Sequence, residues 1–139
     1  MNFVFLIVLV AVIGGFYLFF LNSSKRKLQA RESLSSSDLL SIYVSSEGDI
    51  RPELFAESLE KVSEIFSVPV DKLRLEDVIG RDIGRRFPLS AGDSISTEDF
   101  YEYIHSQKVE ANIAYEDPVN TVADFVKFED FIHRKKKAL

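Results

Sequence analysis

The sequence predicts an all-α protein, in which a single N-terminal transmembrane helix precedes a small bundle of three or four short helices. Three observations lead to this prediction. Residues 3–21 form an unbroken run that is uncharged and almost entirely apolar. Several later segments repeat their apolar residues at helical spacing, whereas no segment gives a comparable strand signal. The chain has 139 residues, which is enough for one small domain beside the apolar run.

The first 21 residues are predicted to be a transmembrane helix. A helix rises about 1.5 Å per residue, so the apolar run matches the ~30 Å hydrocarbon core of a bilayer. A cleaved signal peptide would need a basic start and a small-residue cleavage site. No Lys or Arg precedes Phe3, however, and the run ends in the bulky side chains of Phe19, Phe20 and Leu21. A retained span therefore explains this run better.

The orientation of the predicted span follows from the basic residues behind it, which are Lys25, Arg26, Lys27 and Arg31. Positive charge close to a span stays on the cytoplasmic side of the membrane. We therefore expect a single-pass membrane protein whose C-terminal domain is cytoplasmic. The chain has no cysteine, so a disulfide framework is impossible, which agrees with this location.

Acidic and basic residues are segregated along the chain. Residues 32–133 hold all 22 acidic residues but only 9 of the 17 Lys and Arg residues, which gives this segment a net charge of −13. Nucleic acid needs a basic surface, so we expect no nucleic-acid partner. A field of this sign favours basic-surfaced partner enzymes or proteins of a membrane complex.

Four regions follow from these patterns. The transmembrane helix covers residues 1–21, and a basic, Ser-rich juxtamembrane linker covers 22–37. An acidic helical domain is predicted over 38–133, and a basic tail over 134–139.

A helix of the domain is predicted to begin at Pro52, because proline suits the first helical position. Asp49 precedes it as a candidate capping residue. The residues expected on its buried face recur at helical spacing and are Phe55, Leu59, Val62, Ile65 and Phe66. Pro69 is expected to end this helix.

A long loop and two more helices complete the predicted bundle. The loop over 68–84 carries regularly spaced aliphatic residues, so we expect it to cover the core: Val70, Leu73, Leu75, Ile79 and Ile83. The second helix is predicted over 96–105, with Phe100, Tyr103 and Ile104 facing inward. The last helix is predicted from Thr121, with Asn120 or Thr121 as its cap. Its expected buried residues are Val122, Phe125, Val126, Phe128, Phe131 and Ile132.

The stretch GDSISTEDF, residues 92–100, has two explanations. In the first, Ser96 caps the second helix and Asp99 completes a capping box three residues later. This explanation needs no function and accounts for every hydroxyl except that of Ser94.

The second explanation is a family resemblance. DSISTEDFYEYI resembles the start of the second helix of acyl carrier proteins, where an Asp-Ser-Leu sequence carries phosphopantetheine on its serine. Asp93, Ser94 and Ile95 match these three positions, with Ile in place of Leu. The flanking segments agree in order and spacing: VPVDKLRLEDVIGRDIG resembles the long first loop of the family, and TVADFVKFEDFI resembles its last helix. The acidic domain therefore resembles a divergent acyl carrier protein-like, phosphopantetheine-binding domain.

This resemblance implies a membrane-tethered carrier that does no catalysis itself. Ser94 would carry an acyl or aminoacyl group on phosphopantetheine, and partner enzymes would bind a patch formed by Asp93, Glu98, Asp99 and Glu102. One departure keeps an alternative open. The counterpart of the family's Asp-Leu-Gly is Asp82-Ile83-Gly84. In the family the serine follows this motif almost immediately, whereas residues 85–91 intervene here. The alternative is a degenerate carrier fold that acts as a non-catalytic protein-interaction module or as a subunit of a membrane complex.

No other pattern in the sequence predicts an enzyme or a metal site. Cysteine nucleophiles, zinc spacings and Gly-rich phosphate loops are absent from the sequence, and neither histidine has a credible triad around it. GDSISTEDF also resembles the end of an EF-hand calcium loop. That register puts Pro88, Ser90 and Gly92 where oxygen ligands belong, so we expect no calcium site.

Overall fold

A computed structural model describes residues 3–84 and 95–138 of the chain; the side chains at 20–22, 24, 25 and 95 lie outside this description. Five α-helices and one short 3-10 turn make up its regular structure. They are α1 (Phe3–Gln29), α2 (Ser36–Glu47), α3 (Pro52–Phe66), the 3-10 turn Val70–Lys72, α4 (Ile95–Glu110) and α5 (Val122–Ala138). The described residues contain no β-strand and only isolated bridges, so the all-α prediction is confirmed.

The chain divides into two compact units, residues 1–32 and 33–139. The segment predicted as a linker, 22–37, is helical up to Gln29 and again from Ser36. The basic residues 134–137 belong to the last turns of α5 and do not form a separate tail.

The first unit contains α1, whose apolar side chains are exposed along the helix. Within the described residues, no helix combines the length and the apolarity that a membrane crossing requires. The predicted transmembrane helix over 1–21 is thereby contradicted, and so is the predicted single-pass location with a cytoplasmic C-terminal domain.

The second unit is a bundle built around α3, which contacts α2, α4, α5 and the 3-10 turn. The amphipathic face of α3 is buried as its apolar spacing predicted, with Ile65 only half-buried. The largest fully buried side chains of the bundle come from α2, α3, α4, α5 and the loop after α3: Leu39, Phe55, Leu59, Leu73, Ile83, Phe100, Phe125 and Phe128. The burial predicted for α5 is likewise confirmed, except that Phe131 is half-buried.

The loop after α3 covers the core, as its regularly spaced aliphatic residues predicted. Leu73, Leu75, Ile79 and Ile83 are all buried, and Val70 is half-buried. Backbone hydrogen bonds attach this loop to the start of α5. The amide of Ile79 donates to the carbonyl of Asn120 at 2.8 Å, and an antiparallel bridge joins Val78 to Thr121.

Capping explains where two of the bundle helices begin. Ser35 and Asp38 form a complete capping box at α2. At α5, the backbone amide of Asp124 donates to the Thr121 hydroxyl at 3.1 Å, which confirms Thr121 as a cap. The proposed cap of α3 is wrong: Arg51, not Asp49, occupies the N-cap position, and no side chain makes a capping hydrogen bond there.

Candidate functional site at the start of α4

Helix α4 begins at Ile95, so Ser96 lies inside the helix rather than at its cap. The capping explanation of Ser96 is therefore wrong. The other two residues named for this site, Asp93 and Ser94, lie outside the described residues. Ser94 is nevertheless the residue that directly precedes the described helix.

The first turn of α4 is attached to the end of the loop after α3. The Thr97 hydroxyl donates a hydrogen bond to the carbonyl oxygen of Gly84 at 3.1 Å, and the Thr97 side chain is buried. Gly84 has a backbone φ of 70°, which L side chains rarely adopt. A Cβ added to Gly84 would lie 2.5 Å from Cε1 of Phe66 and 2.8 Å from the Thr97 hydroxyl oxygen. Only glycine allows this close approach.

The three described acids of the predicted patch are all on the solvent side of α4. Glu98, Asp99 and Glu102 are exposed, whereas Phe100 and Ile104 are buried against the core. Among the described residues, no base lies within ion-pair distance of these three acids.

The acids share the exposed side of α4 with apolar side chains that sequence reasoning did not single out. At about 100° per residue, five exposed side chains fall within about 100° of the helix circumference. We call them the outward face of α4: Glu98, Tyr101, Glu102, His105 and Val109. Tyr101 is 41% exposed and Val109 is 65% exposed. Counting at helical spacing from the buried Phe100 and Ile104 would have placed Tyr101 and Val109 on this exposed face.

Tyr101 is held in position by its surroundings. Its ring meets that of Phe100 edge-on, with centroids 5.4 Å apart, and its hydroxyl lies 3.5 Å from the Val119 carbonyl. The Phe100 ring in turn packs against Phe66 and Phe125, at centroid distances of 5.4 and 5.0 Å. The outward face of α4 is therefore backed by a cluster of packed aromatic rings.

A polar network joins α4 to α3 and α5 on the side away from the outward face. The Lys61 ammonium donates to the Tyr103 hydroxyl at 2.6 Å and lies 3.3 Å from Glu129, while the Tyr103 hydroxyl donates to Glu129 at 2.9 Å. Burial raises the pKa of Tyr103 despite the opposing effect of Lys61. Burial lowers the pKa of Lys61, but the hydrogen bond to Tyr103 and the charge of Glu129 outweigh it, so this pKa is raised. The network fixes the position of α4 in the bundle.

Within the described residues, no group of three His, Asp or Glu side chains is placed to hold a metal ion. Comparison of the chain with models of protein families, with curated proteins and with solved structures gives no match.

Proposed function

We propose that the unit 33–139 is an acyl-carrier-like domain that performs no catalysis itself. Ser94 accepts phosphopantetheine, which carries an acyl or aminoacyl thioester between partner enzymes. The exposed acids Glu98, Asp99 and Glu102 bind the basic surfaces of those enzymes. The observation that carries this proposal is the hydrogen bond between Thr97 and Gly84.

This hydrogen bond bears on the departure from the carrier pattern. Residues 85–94, which include the insertion 85–91, separate Gly84 from α4 in the sequence. An insertion of this length could move the helix start away from the Asp82-Ile83-Gly84 motif. Because the first turn of α4 is bonded directly to Gly84, the helix start lies beside that motif in spite of the insertion. The spatial relation between the motif and the helix start is therefore compatible with a carrier.

The start of α4 also suits the proposed modification chemically. A separate transferase would let the Ser94 oxygen attack the pyrophosphate of coenzyme A, forming the serine phosphodiester and releasing the adenosine bisphosphate and the hydroxyl proton. The new phosphodiester would carry negative charge close to the N-terminus of a 16-residue helix, where free backbone amides and the helix dipole favour an anion.

Intact-mass measurement tests the proposal. The full chain is incubated with coenzyme A and a broad-specificity phosphopantetheinyl transferase, and compared with Ser94→Ala and with Ser96→Ala as a matched control. We expect the mass of the wild type and of Ser96→Ala to rise by one phosphopantetheine group, and that of Ser94→Ala to stay unchanged. An unmodified wild type, or a mass gain that persists in Ser94→Ala, would refute the carrier function.

A second candidate is a protein-interaction module without a prosthetic group. The outward face of α4 favours it, because its described residues expose acids and apolar side chains next to one another. This candidate predicts that Ser94→Ala leaves partner binding unchanged and that wild-type mass does not rise after transferase treatment.

A further inference from the structure

We infer that a groove between the start of α3 and the last turns of α5 binds a phosphate monoester, either of a small soluble molecule or of a lipid headgroup. We call it the basic groove, because four basic side chains line it: Arg51, His133, Arg134 and Lys137. Its volume of about 500 Å³ lies within the range of small-molecule sites. The inference is independent of the proposed carrier function, because the described residues that line the groove come from segment 49–52 and from α5.

The basic groove gathers bases from two separate parts of the chain. His133, Arg134 and Lys137 fall within about 100° of the circumference of α5, because a helix turns by about 100° per residue. This side of α5 borders segment 49–52, which contributes Arg51 from the N-cap position of α3. Bases that are far apart in the sequence therefore converge on one concave surface.

The other two bases at the end of α5 have different surroundings. The Lys136 ammonium lies 3.0 Å from a carboxylate oxygen of Glu110 on α4. The Lys135 ammonium lies 5.7 Å from the centre of the Phe131 ring. Neither lysine lines the basic groove. The basic run 134–137 is therefore divided, and only part of it serves the groove.

The bases of the groove retain donors for a ligand. Within the described part of the chain, Arg51, His133 and Lys137 take part in no ion pair. Arg134 pairs with Asp130 at 2.7 Å, but it does so through Nε, which leaves the two terminal amino groups of the guanidinium for another acceptor. Guanidinium groups bind phosphate oxygens through two parallel hydrogen bonds, whereas a lysine ammonium contributes a point charge.

The balance of charge in the groove favours an anion. Three permanent positive charges, on Arg51, Arg134 and Lys137, face two negative ones, on Asp49 and Asp130. The groove is therefore net positive although segment 32–133 has a net charge of −13. A phosphate monoester carries about −1.5 to −2 at pH 7, more than a carboxylate does. Asp130 is already paired with Arg134, so Asp49 is the lining acid that opposes such a ligand.

The start of α3 supplies further features that suit this ligand. Arg51 occupies the N-cap position without any side-chain capping hydrogen bond, so no side chain takes the place of an anion at this helix end. The helix dipole adds positive potential there. Ile50 and Pro52 also line the groove, and they give the organic part of an ester an apolar contact.

A nuclear magnetic resonance titration tests the inference with phenyl phosphate, which combines the phosphate group with a small apolar body. The protein is the full chain labelled with nitrogen-15, and the ionic strength is held constant so that general screening does not change. We expect saturable shifts of the backbone amide signals of segments 49–54 and 133–137, and none with phenol. If phenyl phosphate gives no saturable shift, or if phenol gives the same shifts, the inference fails.

Charge variants locate the binding in the basic groove. Arg51→Gln and Lys137→Gln should each raise the dissociation constant about fivefold, because each removes a charge-assisted contact. Lys135→Gln is the matched control, since it removes the same charge from the same turns of α5 but from outside the groove, and it should change the constant less than about twofold. Equal losses in Lys135→Gln and Lys137→Gln would refute a site in the groove.

A variant that should gain affinity guards against effects of misfolding. Asp49→Asn removes the opposing charge and should lower the dissociation constant about twofold, which a damaged fold cannot produce. Asp49 is exposed, so thermal unfolding of this variant should match that of the wild type. A folded Asp49→Asn that binds phenyl phosphate more weakly than the wild type contradicts the inference.

Sedimentation with vesicles separates the two sources of the phosphate. Phosphatidylcholine vesicles are compared with vesicles that also contain phosphatidic acid, whose headgroup is a phosphate monoester. Sedimentation that requires phosphatidic acid and is lost in Lys137→Gln, but not in Lys135→Gln, assigns the groove to a lipid headgroup. Sedimentation that ignores phosphatidic acid or the Lys137 substitution, together with saturable binding of phenyl phosphate, assigns it to a soluble ester.

Discussion

The hydroxyl of Thr97, in the first turn of α4, donates a hydrogen bond at 3.1 Å to the carbonyl oxygen of Gly84, at the end of the loop after α3. This contact holds the first turn of α4 beside the Asp82-Ile83-Gly84 motif. It depends on a glycine at position 84, which gives the first prediction.

Replacement of Gly84 by alanine should destabilise the bundle by about 2–4 kcal/mol, because it adds left-handed backbone strain to an overpacked contact with Phe66 and Thr97. Gly48→Ala is the matched control: Gly48 also has a positive φ, of 105°, but an added Cβ would meet nothing within 4 Å. Urea unfolding of both variants should show the larger loss at Gly84. Equal losses would mean that steric crowding at Gly84 contributes nothing.

Removal of the Tyr103 hydroxyl should weaken the attachment of α4 to α3 and α5. Tyr103→Phe keeps the ring but deletes the hydroxyl between Lys61 and Glu129, which should cost about 1–2 kcal/mol of unfolding free energy. Tyr101→Phe on the same helix is the control, because the Tyr101 hydroxyl makes only a 3.5 Å approach to a carbonyl. Chemical denaturation measures both, and an equally small change in the two variants would contradict the role of the network.

Alkaline pH should destabilise the bundle through Tyr43. Burial, followed by the charges of Asp130 and Glu47, raises the pKa of Tyr43 to about 12. The pKa of tyrosine in an unfolded chain is about 10, so above that pH the unfolded chain releases the tyrosine proton more readily than the folded protein does. The free energy of unfolding should therefore fall as pH rises from about 10 to about 12. Tyr43→Phe should lose less stability across this window than the wild type, and parallel pH profiles would refute this contribution.

The Thr121 hydroxyl should stabilise the start of α5 by about 1 kcal/mol, because it accepts the otherwise free amide of Asp124. Thr121→Val keeps the shape of the side chain and removes this acceptor, so its thermal unfolding temperature should fall. Thr121→Ser retains the hydroxyl and should recover most of the loss. A serine variant as unstable as the valine variant would show that the methyl group, and not the cap, is responsible.

The sequence predicted well those features that depend on local spacing. The buried residues of α3 and α5 recur at helical spacing, which the sequence shows directly. The aliphatic residues of the loop after α3 predicted that this loop lies on the core, because a solvent-exposed loop would not need them. The cap at Thr121 could also be predicted from the sequence, because its hydrogen-bond partner Asp124 lies only three residues further along the chain.

Features that depend on contacts between distant segments were not predicted. Ser96 has the sequence context of a cap, yet α4 begins before it, and the neighbouring Thr97 bonds to Gly84. Asp49 has the chemistry of a cap but does not occupy the N-cap position of α3. The exposure of Tyr101 and Val109 on the outward face was not predicted, because tyrosine and valine are also common in protein cores. The apolar run near the N-terminus led to a membrane assignment that is contradicted.

The bridge between Val78 and Thr121 has a consequence for the order in which the bundle loses its structure. The amides of Ile79, Val122 and Ala123 donate to carbonyls more than forty positions away along the chain, at 2.8, 3.1 and 2.9 Å for the acceptors Asn120, Asp77 and Leu75. Local fraying of a single helix cannot free all three, so their protons should exchange with deuterium only when the whole bundle opens. Slow exchange at these positions would report the global free energy of unfolding, whereas fast exchange would reveal a separately opening loop.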